Sequence, residues 1–275
     1  MSDTFTVIGA RGFLGSAIVA HLRARGDNVI ERRSDESATG DRGHVIYASG
    51  VAWGGDERHL ESYEIHVERA RRALESGVRE SFTYISSTRV YDGAGSTRED
   101  ATLWIEPAAR GATYKHSKIA GETLVLGIDD PRVRLVRASN LAGPHFRSGL
   151  FLSDVLRGAV REGVVRVRTS RESSKDYVNA IDVARLIAQI ARSGKYRIYN
   201  IARGENTTNG AILDAIAATN GARIEIEPGS PTIVTPRIDI QRLSQEFDPP
   251  RLRVEDSIAE LVTRFAEAEL ARNAR

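Results

Sequence analysis

Tyr114 and Lys118 stand four residues apart in the stretch YKHSK, a spacing that puts two side chains on one face of a helix. A free phenol, with a pKa of about 10, is a poor acid or base near neutral pH. An ammonium roughly 4 Å away, at an effective dielectric of about 20, favours the phenolate by on the order of 4 kcal/mol. That brings the group toward the range where general acid-base catalysis works. A second hydroxyl lies upstream, where Ser87 in YISSTRVYD ends a β-rich run. The carboxyl end of a parallel strand is where such a sheet presents ligands, so Ser87 can hold a carbonyl or hydroxyl in line with the tyrosine proton. Each feature alone has a bland reading, a pair of solvated helix residues and a turn-forming serine. In this order, and behind a glycine-rich turn, they specify proton transfer.

The elements that must position these residues are legible in the hydrophobic pattern. Residues 4 to 8 (TFTVI) form a short strand that meets Gly9, and Phe13, Leu14, Ala17, Ile18 and Leu22 follow at helical spacing. Gly26 ends that helix and DNVIE reads as a second strand. HVIYAS with a helix over about 60 to 76, SFTYISS with one over about 112 to 127, and VRLVRAS with one over about 149 to 162 repeat the alternation. Strands alternating with helices imply a parallel sheet covered on both faces. The expected fold class is therefore α/β, a Rossmann-type doubly wound sheet with a small C-terminal substrate lobe. After Pro144 the rhythm breaks into VVRVRT, KDYVNAIDVARLIAQIA, YRIYNIA, a helix from about 207 to 219, the stretch EPGSPTIVTPRIDI and an amphipathic helix after Val254. The expected division is a nucleotide-binding domain over 1–145, to which 176–202 returns, and a discontinuous lobe made of 146–175 and 203–275.

GARGFLG places Gly9, Gly12 and Gly15 three apart between the first strand and its helix. One glycine permits the tight turn, one lets a pyrophosphate approach the backbone and one lets helix and strand pack closely, while the helix N-terminus offers amide donors. The end of the second strand reports the dinucleotide, since an acid there takes ribose hydroxyls of NAD and an arginine accepts the extra phosphate of NADP. The sequence is Val29-Ile30-Glu31-Arg32-Arg33-Ser34. Arg32 and Arg33 favour NADP, because a guanidinium fork meets a phosphate bidentately. Glu31 would repel that phosphate if it faced the ribose, which keeps NAD open.

The 275 residues are enough to bury a core without staples. There is no cysteine, which excludes a disulfide scaffold, a thiolate zinc site and a cysteine nucleophile; no metal site is expected. Lysine and arginine number 39 against 37 acids, so no global field draws nucleic acid, and arginines alternating with apolar residues in VVRVR fit a strand. The opening residues lack the marks of a signal peptide and no apolar run approaches membrane-spanning length. A cytoplasmic protein with no membrane or nucleic-acid partner is the expectation.

The motifs GARGFLG, HVIYASG, YISSTRVYD, YKHSK, RASNLAGP and KDYVNAIDVA, in that order, resemble the extended short-chain dehydrogenase/reductases, the NAD(P)-dependent epimerases, dehydratases and reductases of nucleotide-linked sugars. The likeness is good over residues 4 to 200 and looser beyond. It implies that Tyr114 is the acid/base, that Lys118 lowers its pKa and binds the nicotinamide ribose, and that Ser87, with Thr88 beside it, orients substrate. It places Gly9, Arg11, Gly12, Phe13, Leu14 and Gly15 of the turn, Arg32 and Arg33, and Ser49 and Gly50 of HVIYASG against the dinucleotide. Asn140 and Lys175, and Arg237 in TPRID, would touch the sugar nucleotide, with Lys175 where an arginine is usual. The two helices at about 60 to 76 and 112 to 127 occupy the positions that pair members of the family into a homodimer.

The departures are informative. His66 replaces the family's usual asparagine, Asp92 replaces the glycine after Tyr91, and only about ten residues separate the second strand from HVIYASG. That is too short for another helix and strand, so the sheet edge should be trimmed. Dehydratases place Asp-Glu after the active-site hydroxyl, whereas Thr88-Arg89 stands here. The expected activity is thus reduction of a keto-sugar nucleotide with NADP, in a setting such as polysaccharide or natural-product sugar synthesis. A 4-epimerase with tightly held NAD is the alternative, and a non-catalytic NADP-binding sensor the alternative of another class.

Overall fold

The computed structural model describes residues 2–36, 43–51, 59–77, 80–109, 111–146 and 149–273. They form two compact units, one of Met1–Ser139, Ala180–Ile201 and Asp239–Pro249, the other of Asn140–Asn179, Ala202–Ile238 and Pro250–Arg275.

The first unit is built on β1 (Thr4–Ile8), β2 (Asn28–Arg32), β3 (His44–Tyr47), β4 (Ser81–Ser87), β5 (Val133–Ala138) and a late strand, Ile198–Ile201. All pair in parallel, in the order β2, β1, β3, β4, β5 and Ile198–Ile201. From β1 the chain goes outward to β2 and then returns to β3 on the other side, so the crevice where the winding reverses opens at the carboxyl end of β1. β1 is buried on both faces, with Phe5, Thr6 and Val7 fully enclosed, as a central parallel strand requires. β2, half-exposed along its length, is one of the two edge strands among the described residues, with Ile198–Ile201 at the other end, in keeping with the trimmed edge expected from the short connection.

Helix α1 (Phe13–Ala24) follows the glycine turn. The next helical run comprises α2 (His59–Tyr63), a π-helical turn over Glu64–Glu68 and α3 (Arg69–Glu75). Helix α4 (Ala112–Leu126) carries the YKHSK residues. A further helix of this unit, Ala180–Ser193, buries Val183, Leu186, Ile187 and Ile190 and packs against α1 and β4. Its Arg192 donates to Asp3 (2.7 Å) and pairs with Asp27, which pins the start of β1 to the loop before β2.

The second unit pairs Asn140–Ala142 in parallel with Ser174–Asn179, which pairs antiparallel with Asn206–Thr208. A two-stranded piece joins Val164–Val167 to Arg223–Ile226. In the former, Val165 and Val167 are buried and Arg166 is exposed, so the first arginine of VVRVR lies on the outer face of a strand and Arg168 follows the strand's end. Three helices, Phe151–Arg161, Asn209–Asn220 and Ile258–Asn273, enclose a core of Leu156, Ile212, Leu213, Ile216, Ile258 and Phe265. Burying each such side chain contributes about 1.5–3 kcal/mol. Among the described residues no helix is long and apolar enough to cross a membrane.

The division of the chain differs in detail from the one expected. It falls at Ser139 instead of 145, because Asn140 already enters a strand pairing with Tyr177. For the same reason the returning segment begins at Ala180 instead of 176. Residues 239–249, expected in the second lobe, group with the first unit. The Asn200 amide donates to the Asp239 carbonyl (2.8 Å), Arg185 to that of Asp248 (3.1 Å), and Tyr199 to Glu246 (3.0 Å).

Candidate active site

At the carboxyl end of β1, Gly9 adopts a left-handed φ of +86°, and a Cβ there would lie 2.7 Å from Ser49 Oγ. The Gly9 and Ala10 amides donate to the Arg32 carbonyl (2.9 and 3.2 Å), which brings the end of β2 to the turn. A Cβ at Gly15 would overlap the Gly9 carbonyl, so the third glycine serves close helix-strand packing. Gly12 is the N-cap of α1 with no side-chain cap, and the first turn holds no acid. The first turn of the helix and the positive end of its dipole therefore face the glycine turn, an arrangement that could hold a pyrophosphate.

Ser87 is the last residue of β4 and caps the short 3-10 turn Thr88–Tyr91, its Oγ accepting from the Arg89 amide (3.3 Å). Tyr114 and Lys118 lie one turn apart on α4, Tyr114 half-buried and Lys118 buried. Ser87 and Tyr114 are brought together, a hydrogen bond from Ser87 reaching the Tyr114 phenol, and Lys118 lies one turn further along α4. Burial holds that phenol above its ordinary pKa, opposed by the Ser87 hydrogen bond and the charge of Arg89, while Asp92 pushes it up further. The direction differs from the expectation that Lys118 lowers it. The Lys118 ammonium donates to the Ile85 carbonyl (2.9 Å), and its own burial, partly offset by Glu122, brings its pKa down to about 7. The Glu122 carboxylate is held by Arg137 and offsets the burial of Lys118 only in part, so near neutral pH the lysine carries less than its full charge and its pull on the tyrosine is weakened.

Sequence reasoning missed the polar network beneath this site. Arg137 of β5 and Glu122 of α4, both 3% exposed, form a two-point pair at 2.7 and 3.0 Å. Ser86 donates to Glu122 (2.6 Å), Arg137 donates to the Tyr91 hydroxyl (2.7 Å), and Tyr91 donates to Asn200 (2.8 Å). The signal was present, because Arg137 stands in a strand followed by helical periodicity and Glu122 follows Lys118 by one turn, on the same face. Beside the first turn of α4 a cavity of about 480 Å³ is lined by Asp92, Trp104, Ile105, Glu106 and Lys115. Trp104 is 63% exposed, and Lys115 donates to the Asp92 carbonyl.

At the end of β2, Glu31 is engaged by Arg23 of α1 (2.5 Å). Arg33 forms an exposed pair with Asp35 (3.1 Å). Arg69 of α3, absent from the expected set, donates to Ser34 (3.0 Å). A third arginine, after Arg32 and Arg33, thus joins the short segment where a ribose phosphate would be read.

The residues expected to meet a sugar nucleotide belong to the second unit. The Asn140 amide donates to the Asp176 carbonyl (2.8 Å), and Arg237 donates to the Gly204 carbonyl (2.9 Å). The buried Asp176 carboxylate accepts from the Arg203 and Gly204 amides (3.2 and 2.8 Å), so it anchors both neighbourhoods. Lys175 places its ammonium 5.2 Å from the Phe151 ring centroid, a cation-π arrangement.

A doubly wound sheet, a glycine turn at its switch point and a tyrosine and lysine on one helix face define a nucleotide-binding α/β enzyme of the short-chain dehydrogenase/reductase class. The NAD dependent epimerase/dehydratase family matches over residues 44–202, more than half of the chain, and the chain belongs to it. The dTDP-4-dehydro-6-deoxy-D-allose reductase of Streptomyces bikiniensis is 23% identical over 303 residues, covering 91% of this chain and 93% of that protein. The fold matches that of TunA, described as an NAD dependent NDP-hexosamine 5,6-dehydratase of tunicamycin biosynthesis, with a TM-score of 0.83, 18% identity and coverage of 97% and 98% of the two chains. It also matches RMD from Pseudomonas aeruginosa, solved with NADPH, with a TM-score of 0.80, 19% identity and coverage of 97% and 100%.

Proposed function

We propose that this enzyme is an NAD(P)-dependent oxidoreductase of nucleotide-linked sugars that reduces a keto-sugar, with Tyr114 as proton donor. The observation that carries the reading is the meeting of Ser87, at the end of β4, with the Tyr114 phenol of α4. Burial keeps that phenol in its protonated form, the form from which a proton can pass to the oxygen of a carbonyl being reduced. Ser87, hydrogen-bonded to that phenol, orients the same oxygen. The glycine turn, Ser49, Gly50 and Lys118 would hold the dinucleotide, which supplies hydride when bound. Trp104 offers an aromatic face beside α4 of the size of a sugar ring. Asn140, Lys175 and Arg237 are assigned to the sugar nucleotide.

NADP is the proposed dinucleotide. Glu31, which would repel a ribose phosphate, is neutralised by Arg23, while Arg32, Arg33, Ser34 and Arg69 supply donors for it. The pairing of Arg33 with Asp35 favours the second reading, a 4-epimerase that retains NAD. Purified protein mixed with NADPH and a panel of dTDP-, UDP- and GDP-linked 4-keto sugars decides among them. Loss of nicotinamide absorbance with one of them is the expected result. Bound NAD carried through purification, with sugars interconverted and no net cofactor use, would establish the epimerase. NADPH binding with no turnover of any sugar would establish a sensor.

A homodimer through α2–α3 and α4 is part of the same proposal. Leu60 and Tyr63 of α2 are 89% and 41% exposed, ahead of the charge-rich turn and helix that follow.

A further inference from the structure

His66 is fully buried in the π-helical turn Glu64–Glu68. Such turns interrupt the regular hydrogen-bond ladder and recur at functional sites. Here the tyrosines of the sheet satisfy neighbouring carbonyls, with Tyr47 donating to Ile65 (2.5 Å) and Tyr84 to His66 (3.1 Å). A Cβ at Gly121 would lie 2.6 Å from the His66 carbonyl, so a glycine in α4 is what lets the turn press against the catalytic helix. The turn is thus held from two sides, and the imidazole it presents has one fixed place.

The hydrogen bonds of that imidazole have a single consistent direction. The Val51 amide can only donate, and it donates to Nε2 (3.3 Å). Nε2 therefore carries no proton, and a neutral ring must carry its proton on Nδ1. Nδ1 lies 2.8 Å from Ser117 Oγ and donates to it, leaving the Ser117 hydrogen for the Tyr114 carbonyl (2.9 Å). The His66 ring also stands edge-on to that of Tyr114, centroids 5.6 Å apart at 87°. A Cβ at Gly50 would lie 3.5 Å from both His66 Nε2 and Lys118 Nζ. One chain of donors thus runs from the loop after β3 to the backbone of the acid/base.

We propose that His66 is a positioning residue whose Nδ1-protonated imidazole couples the loop Ser49–Val51 to the backbone of Tyr114, so that ordering this loop on a nicotinamide dinucleotide sets the tyrosine. The proposal rests on the reading above that the loop meets the dinucleotide. The asparagine usual in the family can supply the Nδ1 half of this link and is too short for the Nε2 half. The two halves can therefore be separated by substitution.

His66→Asn keeps a donor to Ser117 and loses Val51, whereas His66→Gln keeps an acceptor for Val51 and loses Ser117. Ser117→Ala also cuts the second half. In His66→Asn the loss should appear mainly in dinucleotide affinity, a rise in the NADPH or NAD dissociation constant of about tenfold, the scale of one lost hydrogen bond. In His66→Gln and Ser117→Ala it should appear mainly in kcat at saturating dinucleotide, by a similar factor. Nitrogen-15 correlation spectra of the histidine-labelled chain, assigned with the His66→Asn variant, should show His66 protonated at Nδ1 alone. A ring protonated at Nε2, or variants whose affinity, kcat and thermal midpoint all move together, would overturn the coupling and leave a packing residue. A parent chain that binds neither dinucleotide would instead remove the functional reading, and this proposal with it.

Discussion

The acid/base pair behaves differently as a sequence motif and as a placed pair. Spacing alone gives one helix face and a favourable charge; it does not give desolvation, which acts on both groups and determines the direction for each. Tyr114 is kept protonated, and Tyr114→Phe should lower turnover by about 10²–10⁴-fold, the contribution of a positioned proton donor, while dinucleotide binding measured by fluorescence titration is retained. Parental turnover in that variant would remove the catalytic role. Lys118 gives a stability prediction with a definite sign. Its pKa is about 7 in the fold against 10.5 in an exposed lysine, so between these values the unfolded chain holds the extra proton and stability rises with pH. Below pH 7 both states are charged and the destabilisation by the buried ammonium is fully present. Lys118→Met should therefore raise the thermal midpoint most at mildly acidic pH, with the advantage shrinking as the pH is made alkaline and with turnover lost throughout. An advantage that grows with pH would contradict the assignment. Residue types were legible in the sequence and protonation states were not, because the latter depend on which polar neighbours the fold encloses.

At the level of elements, the parallel strands were legible because β1, β3, β4 and β5 are short apolar runs followed by helical periodicity. What the pattern hid was polar and internal. Arg137 in VRLVRAS lies 3% exposed against Glu122 because β5 is an interior strand with both faces covered, and strand spacing does not show which partner a buried charge will find. The pair fastens α4, which carries Tyr114, to β5, and through Tyr91 and Asn200 to the strand Ile198–Ile201. Removing one charge leaves the other buried and unpaired, a loss of about 3–5 kcal/mol. Glu122→Gln should thus lower stability by that amount in chemical denaturation and loosen α4, whereas Glu122→Gln with Arg137→Met should recover part of the loss. A single variant as stable as the parent would show that the pair is dispensable for holding the helix. The π-helical turn was equally hidden, since YEIHVERA has the composition of an ordinary helix and only the pressure of Gly121 and the two sheet tyrosines reveals the bulge.

For the whole molecule, two compact units were legible and their seams were not. A three-residue strand such as Asn140–Ala142 has no periodicity to read; it becomes an element only by pairing with Ser174–Asn179, which moves the boundary. Assembly follows the same logic of surfaces that need a partner. Arg71 is satisfied within its own helix by Glu68 and Glu75, so the charges of ERARRALES need no second chain. Leu60, 89% exposed, is different, since a large aliphatic side chain left in water forgoes about 1.5–3 kcal/mol of burial. In a homodimer packed through this helix and α4 the loss would be recovered twice, once per protomer, as two-fold symmetry demands. Leu60→Asp should then convert a dimer to a monomer in light scattering coupled to size exclusion. The fold should stay intact, because the substitution lies on the surface and outside the Glu122–Arg137 network. A parent chain that is already monomeric, or a Leu60→Asp dimer as tight as the parent, would place the interface elsewhere.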